Sequence, residues 1–436
     1  MMNSLSLMPK YEAYQNSGVE WLGDIPNSWD LLANKYIFKL KKSLVGKKSD
    51  DYELLSLTLR GIIKRDMDNP EGKFPAEFDT YQEVKIGDFV FCLFDVEETP
   101  RTVGLSLYDG MITGAYTVFE TSTNFNKKFL YYFYLNLDSN KRLKPIYRGL
   151  RNTIPKESFM GIKTFVPPYE QQYLIAFYLD KKTAQIDEAI AIKEQQINLL
   201  KERKKIIIQK AVMQGLDPNV MLKESGVDWI GKIPDHWEVK RLKYILEERS
   251  ERSKTGEEPL FMVSQIHGLV VRADYHDKAE VAASNIDNKV VYENDLVFNK
   301  LKAHLGVFFK SSIEFKGLVS PDYAVYKCKD HIVDAKYLEI LFRHPSYIEQ
   351  FIIRATGIVE GLIRLYTGDL FDIHVPVAPA EEQLAILAYA EEQSKTYDLA
   401  IELQQTQTEK LKEYKATLIN SVVTGKIKIT PEMVER

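Results

Sequence analysis

Only two cysteines, Cys92 and Cys328, occur in 436 residues, and they do not occupy corresponding places in the internal repeat described below. That scarcity argues against both a disulfide framework and a thiolate zinc site. All seven histidines lie between His236 and His374, with no pair at ligand spacing, so a metal site shared by both halves is excluded. No apolar run approaches the ~18 residues needed to cross a bilayer. The first residues, MMNSLSLMPKYEAYQNSG, carry no basic segment followed by an apolar stretch, so no secretory signal is read there and the protein is expected in the cytoplasm, with no membrane partner.

What is present fits a soluble multidomain chain. The length exceeds the ~250 to 300 residues at which one core stops growing, so two or more domains are expected. A hydrophobic fraction of 45% with 28% charged residues argues against disorder. The net charge of −4 speaks against indiscriminate nucleic-acid binding, but charge is unevenly placed. Lys35 to Lys48 holds six lysines and no acid, and Lys127 to Lys163 holds nine basic residues against Asp138 and Glu157. Taken alone, such runs read as solvated faces.

The chain repeats itself. SGVEWLGDIPNSWDLLANKYIF from Ser17 matches SGVDWIGKIPDHWEVKRLKYIL from Ser225 at eleven of 22 positions, and these boxes hold all four tryptophans, Trp21, Trp29, Trp229 and Trp237. Farther on, Gly87 to Phe91 pairs with Asn294 to Phe298, and Ala115 to Phe119 with Asp322 to Tyr326. Both halves reach a Pro/Glu/Gln junction, VPPYEQQ from Val166 and VAPAEEQ from Val377. Two copies of this size imply duplication of a whole domain and a pseudo-twofold architecture. Runs such as Asp88–Phe94, Tyr116–Glu120, Val290–Phe298 and Tyr323–Lys327 read as strands, and Lys128–Asn136 and Ala335–Arg343 as helices, giving mixed α/β (α+β) domains.

Glu170 to Gln214 and Ala380 to Val423 contain neither Gly nor Pro and read as long helices. Leu179, Ile186, Ile190, Ile197, Leu200, Ile207 and Ala211 form a 3-4 spaced stripe on the first, interrupted by Thr183, Lys193 and Lys204. A less regular stripe on the second runs through Ile386, Ala390, Tyr397, Leu403, Leu411, Tyr414 and Leu418. These stripes are the expected helix interface, within one chain or between two chains. The expected domain limits are residues 1–166, 167–215 (first helix), 216–376 and 377–436 (second helix and tail).

Three segments imitate catalytic motifs. GVDWIGK from Gly226 has the frame of a phosphate-binding loop, but Ile233 stands where a hydroxyl must hold magnesium and Asp24 replaces the lysine in the other copy. Pro234-Asp235, with Glu238 and Lys240, imitates a nuclease signature whose lysine the first copy lacks. Pro167-Pro168-Tyr169 imitates the adenine-methyltransferase motif, with Val166 at the polar position. No catalytic residue is assigned.

The tandem repeat, the Trp boxes and the Pro-x-x-x-Gln junctions leading into long helices resemble the specificity subunits of type I restriction-modification systems. That resemblance implies two target-recognition domains, each reading half of a bipartite, asymmetric double-stranded DNA site, separated by an antiparallel helix pair that docks two modification subunits. It implies a chain that catalyses nothing. S-adenosylmethionine belongs to the modification subunits, and ATP and magnesium to the restriction subunits. Base edges are read by Arg, Lys, Asn and Gln donors held against phosphates, which selects Arg60, Lys64, Arg65, Arg148, Arg151 and Asn152 in the first domain. In the second, Arg272, Lys300, Lys302, His304 and Arg364 are selected. The competing reading is a coiled-coil interaction scaffold that does not bind DNA.

Overall fold

Side chains alternate between the two faces of a strand, and in this protein both faces are covered. The structure, a computed structural model, describes residues 5–18, 23–66, 78–264, 267–275, 284–357 and 364–435. The chain forms two units, Met1–Glu194 with Gln405–Arg436, and Gln195–Gln404.

In the first unit, β1 (Phe38–Leu40), β4 (Phe89–Phe91), β5 (Val103–Leu105) and β6 (Thr117–Thr121) make an antiparallel sheet of order β1-β6-β4-β5, while β2 (Leu55–Thr58) and β3 (Gly61–Lys64) form a hairpin. Phe89 and Phe91 enter a large core with Trp29, Phe133 and Phe159, whereas Val90 enters a small core with Leu55 and Ile62 of the hairpin. Two-sided burial explains why β4 reads as a continuous apolar run.

The second unit repeats this plan. Here β7 (Leu246–Glu248), β10 (Leu296–Asn299), β11 (Phe308–Lys310) and β12 (Tyr323–Cys328) have the order β7-β12-β10-β11, and β8 (Phe261–Ser264) pairs with β9 (Gly268–Val271). Leu296 and Phe298 face the large core; Val297 faces the small one with Phe261 and Leu269. The run Val290–Phe298, expected as one strand, is two. Lys289–Val291 pairs with Gly317–Val319, and a turn precedes β10 in which Asn294 takes a left-handed φ of 62° and Tyr292 N–H donates to the Asp295 carboxylate at 2.8 Å. Turn chemistry inside an apolar run outweighs its β propensity.

Each Trp box is pinned beside a junction. Asp30–Ala33 pairs with Lys163–Val166, and Glu238–Arg241 with His374–Val377, so the strand that follows Trp29 or Trp237 is bonded to the strand that enters the long helix. Trp29 and Trp237 are buried. Trp21 lies outside the described residues. The Gln of each junction is buried as well: Gln172 donates to the Pro167 carbonyl and accepts from Asn126 N–H, and Gln383 donates to the Ala378 and His331 carbonyls and accepts from Val333 N–H. The motif therefore fastens the helix start to its own domain.

The long helices run Tyr169–Gln214 and Ala380–Val423 and pack together within the chain. In the first unit Asp187 meets Lys415 and Lys193 donates to Gln407, partners that descend as the helix ascends, which defines antiparallel pairing. In the second, Lys204 meets Asp398 and Val212 shares a core with Ile386. Thr183, Lys193 and Lys204 thus belong to the stripe they interrupt: Thr183 is buried and bonded to Tyr132, and the lysines cross to polar partners. Leu179, Ile186 and Ile197 are buried on the same stripe, with Ile190, Leu200 and Ile207 half-buried. On the second helix Leu411 and Leu418 are buried and Tyr414 is half-buried, but Leu403 is 56% exposed. Ile401, Gln404 and Thr408 hold the seam there, because the 3-4 spacing from Leu411 passes through two polar residues that an apolar-only reading skips. Among the described residues no helix is long and apolar enough to cross a membrane.

Candidate nucleic-acid interface

The first-unit hairpin presents cations. Arg60 is exposed at the β2–β3 turn, and its side chain makes no hydrogen bond or ion pair among the described residues. Lys64 lies 3.6 Å from Glu53 and over the Tyr108 ring. Arg65 follows β3, its N–H donating to the Leu54 carbonyl; Arg272 follows β9 and donates to the Leu260 carbonyl. Arg65 and Arg272 therefore occupy equivalent places, at the same offset as Gly87 and Asn294.

A second element stands beside the end of β4. Arg148 and Thr153 exchange backbone hydrogen bonds of 2.8 and 3.0 Å, closing a tight loop with Gly149 at φ 68° and Asn152 at φ 44°. Glycine and asparagine are the residues that most readily take such a φ, so the sequence at both positions suits the tight loop. Asp95, itself at φ 46°, donates its N–H to the Arg151 carbonyl, and Ile154 donates to Leu93. Arg148 and Arg151 are exposed and Asn152 half-buried. In the second unit Thr356 and Arg364 exchange the equivalent pair, and Leu365 donates to the Lys300 carbonyl. The arginine thus sits on opposite arms of equivalent loops. Residues 358–363 lie outside the described ones.

The second-unit cations are more heavily paired. Arg364 lies 3.6 Å from Asp322, and Lys300 lies 3.8 Å from Glu248, which Lys289 also approaches at 3.5 Å. Lys289 is 6% exposed, and burial, with Lys300 nearby, pushes its pKa down. Glu248, Lys289 and Lys300 correspond to Leu40, Gln82 and Leu93, so one unit is charged where the other is neutral; Gln82 instead donates to the Tyr116 carbonyl. Strand pairing creates this cluster from residues some forty positions apart, and no local signal in the sequence announces it. Lys302 is exposed. The His304 side chain lies outside the described ones. Among the described residues no three His, Cys, Asp or Glu side chains converge as metal ligands.

The structure thus brings Lys300, Arg364 and Asp322 together, and Arg148, Arg151 and Asn152 together, while Arg60, Lys64 and Arg65 share the hairpin. Two equivalent folds carry different side chains at equivalent positions. No family model matches the sequence. The chain is 25% identical over 434 residues to a Methanocaldococcus jannaschii protein described as the MjaX type I restriction enzyme specificity subunit, covering 94% of this chain and 96% of that one. It is 25% identical over 291 residues to the MjaVIII specificity subunit of the same organism, covering 63% and 64%. Its fold is similar to a chain from a type I R-M system solved for its complex assembly and conformational transition (TM-score 0.63, 14% identity, 92% and 98% covered). It is similar also to the HsdS subunit of Thermoanaerobacter tengcongensis (TM-score 0.51, 14% identity, 92% and 98% covered). The duplicated fold with its paired helices belongs to the HsdS class of architecture. Along nearly its whole length the chain is similar to type I restriction enzyme specificity subunits.

Proposed function

We propose that this chain is the DNA-reading, non-catalytic subunit of a type I enzyme, with each unit contacting one half of a bipartite, asymmetric duplex site. The observation that carries the reading is the equivalence of Arg65 with Arg272, and of the Arg148–Thr153 loop with the Thr356–Arg364 loop, on sheets that otherwise differ in charge. Equivalent scaffolds fix the register on phosphates, and divergent side chains read different bases. The paired helices set the spacing of the half-sites and dock two modification subunits, which bring S-adenosylmethionine, while restriction subunits bring ATP and magnesium.

Docking is supported by an exposed stripe on the first helix, Tyr169, Tyr173 and Phe177; the counterparts of the last two, Leu384 and Ala388, line a cavity of about 930 Å³ in the second unit. Methylation profiling of host DNA with and without the gene tests the reading, together with a gel shift of the resulting site by the chain assembled with its modification subunits. Loss of one bipartite motif and a specific shift support it. An unchanged methylome with no shift would leave the scaffold reading.

A further inference from the structure

The Arg148–Thr153 loop has a feature that contact with phosphates or base edges does not require. Its outermost side chain is apolar: Leu150 is 105% exposed, more than any other large hydrophobic residue among those described. A single exposed leucine needs no explanation by itself. Its mounting does. The loop is closed by the Arg148–Thr153 pair, braced by Asp95 N–H to Arg151 at 2.8 Å and by Ile154 N–H to Leu93 at 2.8 Å, and shaped by two left-handed residues that are not glycine, Asp95 and Asn152. Phe94, next to the brace, stacks on Tyr116 at 6.1 Å, and Tyr116 packs against the small core, so the finger stands on the sheet. Arginines flank the tip, and the Arg151 side chain makes no hydrogen bond or ion pair among the described residues.

We infer that Leu150 is a wedge that enters between two neighbouring base pairs of the duplex while Arg148 and Arg151 grip the phosphates beside it. The inference rests on the DNA-binding reading above. Apolar tips partly unstack a base step, and flanking guanidiniums hold the backbone that the step displaces. A rigid mounting is what such an insertion requires, because a mobile loop would yield before the stack does. Pyrimidine–purine steps unstack most readily, so the half-site under the first unit should contain or abut one.

The test uses the full chain assembled with its modification subunits and a duplex bearing the site found by methylation profiling. Fluorescent analogues are placed in turn at each half-site position other than the methylated base, 2-aminopurine for adenine and pyrrolocytosine for cytosine. The wild type should raise the emission at one step several-fold. Leu150→Ala should abolish that rise, Leu150→Met should keep it, and both should bind within roughly tenfold of wild type, because the saved unstacking offsets the lost contact. Arg148→Ala and Arg151→Ala should each flatten the salt dependence of binding by about one unit of slope. Specific binding with no step-localised rise, or a rise that survives in Leu150→Ala, overturns the wedge and leaves DNA recognition standing. No specific binding by the wild-type assembly overturns both.

Discussion

The Arg249 guanidinium holds the buried Asp295 carboxylate with two hydrogen bonds, of 2.8 and 3.0 Å, and Lys41 holds Asp88 at 2.9 Å in the equivalent place of the other unit. Each aspartate also accepts a backbone N–H three residues earlier, from Tyr292 or Lys85, and so closes the turn into β10 or β4. Burial pushes the Asp295 carboxyl above the ordinary carboxylate range even with Arg249 in place. Arg249→Ala should therefore destabilise the second unit by about 3 kcal/mol. Arg249→Lys should cost less than half of that, since lysine serves in the first unit. Hydrogen exchange followed by mass spectrometry separates the units; a loss in Arg249→Lys as large as in Arg249→Ala would show that lysine cannot serve there, and no loss in either would show that the carboxylate needs no cation.

The helix seam makes a sharper contrast on a single turn. Ile401 is 8% exposed and Leu403 56% exposed, although both are apolar and two residues apart. Ile401→Asp should bury an unpaired charge and destabilise by more than about 2 kcal/mol, impairing assembly with the modification subunits. Leu403→Asp should stay within about 0.5 kcal/mol. Thermal unfolding and size-exclusion chromatography of the two variants read the difference, and a destabilised Leu403→Asp would place the seam on the other face.

Acid should loosen the second unit first. Burial pushes both His344 and His374 below the ordinary histidine value, with Lys205 adding to the effect at His344 and Arg241 and Arg354 at His374. A histidine depressed in the folded state binds fewer protons than when unfolded. The stability it contributes is therefore complete above its unfolded value of about 6.5 and is lost as pH falls through the folded value. His344 also caps the helix Pro345–Arg354 by accepting from Ser346 N–H, which protonation would forbid. Amide protection in that helix should fall between pH 7.5 and 5.5 after correction for intrinsic exchange, with no matching change in the first unit, which has no histidine. A flat profile would show that neither ring is held neutral.

The helices were legible because their signal is local: the absence of Gly and Pro over some forty residues leaves few alternatives, and both bounds agree with the sequence to within one residue. The duplication was legible from the Trp boxes and the Pro-x-x-x-Gln junctions, though not the reason for the Gln, whose partners Asn126 and Val333 lie 46 and 50 residues away. Polar members of the seam were invisible because a hydrophobic stripe counts Lys193, Gln404 and Thr408 as gaps. Val290–Phe298 reads as one strand because the turn bonded through Asp295 is as short as the strands it divides. Of the candidate interface, residue type could be chosen from the sequence, but neither the ion pairs of Lys300 and Arg364 nor the exposure of Leu150 follows from it, since both depend on which strands meet.

If the helix pair sets the half-site spacing, lengthening it should lengthen the DNA spacer and nothing else. Lys193 meets Gln407 and Lys204 meets Asp398, so Gln195 lies opposite the neighbourhood of Gln404, and seven residues inserted after each keep the two strands of the pair matched. Seven residues are two turns in a heptad frame and preserve the phase of the seam. They add about 10 Å of rise, equivalent to about three base pairs at about 3.4 Å each. Three base pairs also rotate one half-site by roughly 100° about the duplex, given about 10.5 per turn, and the helices supply little of that rotation. Methylation in the double-insertion strain should therefore be weaker, while the sites that remain modified carry the same two half-sites with a spacer longer by about three base pairs. Inserting in one helix alone should abolish modification, because the seam contacts Lys193–Gln407 and Lys204–Asp398 cannot both form. Methylome sequencing of the three strains decides: an unchanged spacer, or altered half-site bases, would mean that these helices do not measure the distance.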